Sequence, residues 1–255
     1  MAITLTPLPG IPRVNPGDNL IELVQAALER AGIKLETGDV LVFAQKIISK
    51  AEARFVNLAT IEPGPRASGL AAEVDKDPRL VEVILRESRR VLRTRPGTLI
   101  VEHRLGFVCA NAGVDHSNVQ GEGTGEEEWV LLLPENPDKS AAILRERLES
   151  ETGAKIGVLV IDSHGRAWRI GTVGLTIGLS GLPGIVDLRG RRDLSGYTLR
   201  ITQVGAADEL AAAASLMMGQ ADEGTPVIHV RGFPYPLRES TLAEILRPEE
   251  QDLFR

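Results

Sequence analysis

At 255 residues, with 43% hydrophobic and 25% charged content, the chain has the make-up of an ordinary soluble globule long enough to bury a substantial core. A formal net charge of -6 argues against general binding to nucleic acid or a membrane surface, while leaving room for local basic pockets. The single cysteine, Cys109, can form no internal disulfide, and neither a signal peptide nor a bilayer-spanning run is evident, so a cytoplasmic protein is expected.

In chain order, residues 3–7 predict a short strand, stopped at Pro9-Gly10 and followed by an irregular stretch from Leu8 to Val14. Asp18 is the expected N-cap of a helix reaching about Arg30, with Leu20, Ile21, Val24, Ala27 and Leu28 on one face and Gly32 at its end. Asp39 to Ala44 reads as a strand running into Gln45-Lys46-Ile47-Ile48-Ser49-Lys50. Residues 51–78 are mixed, with a polar loop around Pro63, Gly64 and Pro65. Residues 79–94 predict an amphipathic helix whose solvated face carries Arg86, Arg89, Arg90 and Arg93. Short strands at Thr98–Glu102 and Phe107–Ala110 flank a turn at Arg104-Leu105-Gly106 and lead into a polar run from Asn111 to Asn118. A strand over Trp129–Leu133 and a helix over Pro137–Ser150 follow.

The stretch Gly157 to Arg169 organises the second half. Its consecutive branched apolar residues read as a strand buried on both sides, ending abruptly in Asp162, Ser163, His164 and Gly165. An acid at the carboxyl end of such a strand faces the crevice where α/β sheets hold ligands. The Asp162 carboxylate and Ser163 hydroxyl are hard oxygen donors suited to Mg²⁺ or Mn²⁺, and Arg166 and Arg169 place cations beside an arriving anion. On this stretch alone, a turn-capping Asp162 competes evenly with a metal site. Residues 170–198 are glycine-rich and expected to be mostly irregular, a candidate lid. Residues 199–204 suggest a strand and 206–217 an alanine-rich helix. The polar loop Gly219 to Thr225, a strand over Pro226–Val230 and a tail helix over 240–246 complete the chain. This irregular alternation predicts an α/β (mixed α+β) protein, with irregular mixed sheets and flanking helices, and not a regular doubly wound sheet.

No phosphate loop of the G-x-x-x-x-G-K-[ST] kind, dinucleotide fingerprint or G-x-S-x-G elbow is present. Cys109 and His116 make only a weak metal pair, and His116 and His164 read most simply as solvent-facing loop residues. What remains is a set of separated acids, hydroxyls and amides (Asp115, Asn118, Asp162, Ser163 and Gln220) with Lys50 to meet a phosphate. Such a set could converge on a metal-bound nucleoside triphosphate; spacing alone leaves that open.

Five segments resemble the coenzyme F420-0:gamma-glutamyl ligases. They are Leu8-Pro9-Gly10-Ile11-Pro12, Gln45 to Lys50, Ala112-Gly113-Val114-Asp115-His116-Ser117-Asn118-Val119, Ile161 to Arg169, and Met218 to Gly224. The resemblance spans nearly the whole chain and implies a single ligase domain over 1–255, with room for two intimately packed subdomains. It implies a GTP-dependent enzyme that adds L-glutamate to the carboxylate of F420-0 through an acyl phosphate, releasing GDP and phosphate. Ile11, Pro12, Arg13, Val14, Gln45, Lys50 and Asn118 would bind GTP. So would the loop Met218, Gly219, Gln220, Ala221, Asp222, Glu223, Gly224 and Thr225. Asp115 and Asp162 would share one divalent ion, Mg²⁺ or Mn²⁺, while Ser163 and Gln220 would bind a second; K⁺ is a further candidate. Family members often carry Ser where Gln45 stands and Thr where Ser163 stands. An intertwined homodimer with small-molecule substrates, and neither nucleic acid nor membrane as partner, completes the expectation. A metal-dependent nucleotide phosphohydrolase and a non-catalytic nucleotide-binding regulator are the rival readings.

Overall fold

The computed structural model describes residues 2–116 and 129–253. The first strand, β1 (Thr4–Pro7), precedes helix α1 (Leu20–Arg30), whose five expected inward residues are all buried. Asn19, not Asp18, caps this helix, its side-chain oxygen accepting from the Ile21 amide at 3.1 Å. Asp18 instead accepts from the Asn15 amide at 2.7 Å, tightening the preceding turn. Strand β2 (Val40–Ala44) passes directly into helix α2 (Gln45–Ala51), followed by β3 (Phe55–Asn57) and helices α3 (Pro65–Val74) and α4 (Pro78–Arg86).

The helix expected over 79–94 stops at Arg86, and strand β4 (Ser88–Arg95) takes its place. The arginine spacing suits a helix face, but the pairing of β4 with β5 (Thr98–His103) overrides it. Arg90 Nε reaches buried Glu102 of that strand at 2.7 Å, an ion pair a continuing helix would forgo. Strands β6 (Val108–Ala110) and β7 (Trp129–Leu131) lead to helix α5 (Pro137–Thr152), with β7 two residues shorter than expected.

Strand β8 (Gly157–Gly165) does not stop at Asp162 but continues as a hairpin into β9 (Thr172–Ser180). The glycines of this region, read as irregular and lid-like, serve packing instead. A Cβ at Gly174 would stand 2.6 Å from the Ala211 carbonyl of helix α6 (Ala206–Met218), and one at Gly178 2.8 Å from the Asp138 amide of α5. The body of α6 and the first turn of α5 thus press on β9 where side chains would not fit. Their carboxylates also satisfy this edge strand: Asp208 Oδ1 accepts from the Thr176 amide and Asp138 Oδ1 from Leu179. Of residues 199–204 only Gln203–Val204 form a strand, β11, which pairs with β10 (Val186–Asp187), and the expected tail helix is a single short turn at Leu242–Glu244. The last strand is β12 (Val227–Arg231).

The main sheet runs β1-β12-β2-β8-β9, with β2 and β8 parallel and its other described pairs antiparallel. Alternating side chains send Leu41, Phe43, Val158 and Val160 to the side of α1 and α5, and Val40, Val42, Leu159 and Ile161 to that of α6. Each such burial contributes about 1.5–3 kcal/mol relative to exposure. A third core joins α3, α4, β5 and β7, and Phe107 packs against all three. Among the described residues no helix is long and apolar enough to cross a membrane. The architecture is the mixed α/β arrangement expected, without a regular double winding.

Candidate active site

Because β2 and β8 are parallel neighbours, their carboxyl ends open onto the same edge of the sheet. A cleft of about 690 Å³ lies there. Ile11 to Val14, Gln45, Lys50, Asp115, Asp162, Ser163 and all of 218–225 line it. The five separated segments therefore meet in one place; Asn118 lies outside the described residues. A second cleft of about 660 Å³, between 183–191 and 235–251, contains none of these residues.

Helix α2 begins where β2 ends, so Gln45 and Lys50 are delivered straight from the core. Both are buried, and the Gln45 side-chain oxygen accepts from the Ser49 hydroxyl at 2.7 Å. Burial lowers the Lys50 pKa, and the like charges of Lys46 and Arg13 lower it further against the opposing pull of Asp115. Three cations thus gather at one wall. The loop carrying Arg13 is held from behind, Arg30 donating to the carbonyl oxygens of Pro9 and Gly10.

Asp115 reaches the cleft through an unusual turn. Asn111, Ala112 and Gly113 all have positive φ, near 51°, 53° and 64°. Such a run is costly for non-glycine residues. It is held by Asn111 Oδ1 accepting from the Leu99 amide and by paired backbone bonds between Asp115 and Leu131. Lys46 Nζ stands 2.6 Å from Asp115 Oδ2.

The register of β8 against β9 shifts between Val160 and Ile161. Such an irregularity re-aims side chains at the end of a strand. Beyond it, Asp162 Oδ2 pairs with His164 Nε2 at 2.9 Å, while the Ser163 hydroxyl donates to Gln220 Oε1, also at 2.9 Å. Gln220 Nε2 in turn donates to Ser215. Ser163 and Gln220, remote in sequence, are thereby neighbours, as a shared ion would require.

Two participants escaped sequence reasoning. Lys46 lies one helical turn before Lys50, a spacing that places both on one face of α2. His164, expected to face solvent, is buried under Phe107, the ring centroids 5.3 Å apart. Its position two residues after Asp162 on a strand was the available signal. Cys109 is also buried, which together with the Asp162 charge pushes its thiol up to about 12 and leaves it a neutral core group. Among the described residues no three His, Cys, Asp or Glu side chains converge into a self-contained metal centre. The cleft lining offers the carboxylates of Asp115 and Asp162, the Ser163 hydroxyl and the Gln220 amide oxygen, with Asp222 and Glu223 in the same lining, and such hard oxygen donors fit Mg²⁺ or Mn²⁺.

The F420-0:Gamma-glutamyl ligase family model matches residues 10–232. The chain is 44% identical to the coenzyme F420:L-glutamate ligase of Methanothermobacter thermautotrophicus, covering 100% of both. It is 46% identical to that of Methanopyrus kandleri, over 99% of this chain and 98% of the relative. Against the Archaeoglobus fulgidus enzyme the identity is 41%, over 100% and 97%. With a family match over most of its length and relatives this close from end to end, the chain belongs to the F420-0:gamma-glutamyl ligase family and is a ligase.

Proposed function

We propose that this enzyme condenses L-glutamate with the carboxylate of F420-0 at the expense of GTP, in the cleft at the carboxyl ends of β2 and β8. The observation that carries the reading is Lys50, whose pKa burial lowers: a buried ammonium beside Lys46 and Arg13 favours an arriving polyphosphate. Asp115, Asp162, Ser163 and Gln220 bring oxygen donors to the same cleft.

A carboxylate does not condense with an amine at neutral pH because its oxygen leaves poorly. Transfer of the γ-phosphoryl group to that oxygen releases GDP and yields an acyl phosphate. The glutamate nitrogen, once deprotonated, attacks the acyl carbon, phosphate departs, and the amide remains. Such a transfer needs alignment and charge neutralisation more than covalent help. Asp115 and Asp162 would hold one divalent ion, and Ser163 with Gln220 a second, supplying neutralisation of the developing phosphate charge. Lys50 and Arg13 bind the phosphates from the side of α2, and Ile11 to Val14 and 218–225 enclose the nucleotide. His164 holds one oxygen of Asp162, orienting the carboxylate.

A homodimer belongs to the same reading, supported by the exposed apolar residues Leu194 and Ile201 between β10 and β11. Light scattering on the purified protein checks it. Mass spectrometry of reactions containing deazaflavin acceptor, glutamate and GTP tests the activity. The expected product gains one or more glutamyl residues, with GDP and phosphate released in proportion. Nucleotide cleavage indifferent to glutamate would replace the ligase with a phosphohydrolase.

A further inference from the structure

Strand β8 serves the cleft as far as His164, and the hairpin tip beyond it is left without a role. That tip, residues 166–171, carries Arg166, Trp168, Arg169 and Ile170. Trp168 is 87% exposed and Ile170 fully so, so the core does not explain them. Turn geometry does not explain the tryptophan either. Its φ is +64°, a conformation that Gly or Asn would adopt at lower cost and that is uncommon for a bulky side chain. The tip itself is braced, with Arg166 Nη1 donating to the Gly171 carbonyl at 3.3 Å. From Ser163 to Val186 the sequence holds no acidic residue, so the tip is locally cationic in a chain of net charge -6.

We infer that this tip is the acceptor subsite: the Trp168 indole stacks on the planar deazaflavin ring, and Arg166 and Arg169 attract the anionic side chain that leads to the reacting carboxylate. This rests on the ligase reading above. Three observations converge on that occupant. An exposed indole offers a π-face of the kind that stacks on heteroaromatic rings. The two guanidiniums complement a ligand that must bring a carboxylate to the enzyme. Distance also agrees: Gly165 is three residues past Asp162, about 10 Å along a strand, and the tip lies beyond it. The ring would then sit a side-chain length from the phosphoryl-transfer centre, leaving the nucleotide cleft clear.

The test is titration of the deazaflavin acceptor into wild-type protein and the variants Trp168→Ala, Trp168→Phe and the double variant Arg166→Ala/Arg169→Ala. GTP affinity and oligomeric state are measured alongside. Trp168→Ala is expected to weaken acceptor binding about tenfold or more, with Trp168→Phe recovering most of it. The arginine variant should weaken acceptor binding and flatten its dependence on salt. GTP affinity should stay within about twofold throughout, since these residues lie outside the nucleotide cleft. Unchanged acceptor affinity in Trp168→Ala and the arginine variant overturns the subsite while leaving the ligase reading intact. A wild-type protein that binds GTP but no deazaflavin overturns both. Loss of acceptor affinity together with dissociation of an oligomer assigns the tip to a subunit contact and overturns the subsite.

Discussion

The two walls of the cleft are built on opposite plans. On one, Gln45, Ser49 and Lys50 are buried at the junction of β2 and α2, their positions set by the core beneath. On the other, the loop from Gln220 to Gly224 is exposed, and the glycines at 219 and 224 turn it with φ near +75° and +68°. Its own Glu223 carboxylate accepts from the Ala221 amide, which lowers the Glu223 pKa. The buried wall therefore fixes charge before any ligand arrives, whereas the loop fixes shape, its amides turned onto its own carboxylate. Substitutions on the first should act through electrostatics, and those on the second through backbone geometry.

The largest effect is expected where the walls meet, at the oxygen donors. Asp162→Asn and Asp115→Asn should each abolish glutamate transfer, costing several kcal/mol of transition-state stabilisation, with the melting temperature little changed. Steady-state assays over a range of Mg²⁺ or Mn²⁺ check this, and near-wild-type activity with an unchanged metal requirement would remove either residue from the shared ion. On the buried wall, Lys50→Ala should weaken nucleotide binding by about 1.5–3 kcal/mol, the worth of a lost charged hydrogen bond. Calorimetric titration with GTP decides it, equal affinities returning Lys50 to a purely structural role.

The loop wall is probed by Gly219→Ala. With φ +75° and ψ -177° its backbone occupies a region essentially confined to glycine, and a Cβ would run into the Glu223 carboxylate. The strain is about 1–3 kcal/mol, expected as weaker GTP binding with little loss of global stability. Adding Glu223→Ala should relieve the collision but not the backbone strain. Full recovery in the double variant would show that the collision alone mattered.

The smallest effect concerns protons. Since burial lowers the Lys50 pKa, bound phosphate should raise it again, and nucleotide binding near that pKa should take up a fraction of a proton. Binding enthalpies measured in buffers of different ionisation heat should diverge in wild type and coincide in Lys50→Ala. In stability the sign runs the other way. The unfolded chain holds the Lys50 proton more readily, so this group's contribution improves as pH rises through the folded value toward 10.5.

Much of this was legible in the linear chain because apolar runs declare buried strands. Gly157 to Ile161 and Val40 to Ala44 read correctly, and their parallel pairing brings Asp162 beside the start of α2. The gathering of Ile11, Lys50, Asp115, Ser163 and Gln220 was legible only through family likeness, since nothing in their spacing encodes it. What misled was pattern with two causes. Arginines at 86, 89, 90 and 93 fit a helix face, yet Glu102 draws Arg90 onto a strand. Glycines at 174 and 178 suggested looseness, but they mark contact with α6 and α5. His164 looked solvent-facing because the ring that covers it, Phe107, belongs to a distant segment.

Phe107 lies between His103, its ring centroid 5.1 Å away, and His164, while touching the three cores. Burial holds the His103 pKa down to about 3, so this ring remains uncharged at neutral pH. Through His164 the same stack ends on Asp162. One phenyl ring thus makes the aim of a charged oxygen depend on side chains that never see the substrate. The small sheet behind it acts less as an appendage than as a backstop: loosening it anywhere along β5 would blur the aim of Asp162 before any residue of the cleft had changed.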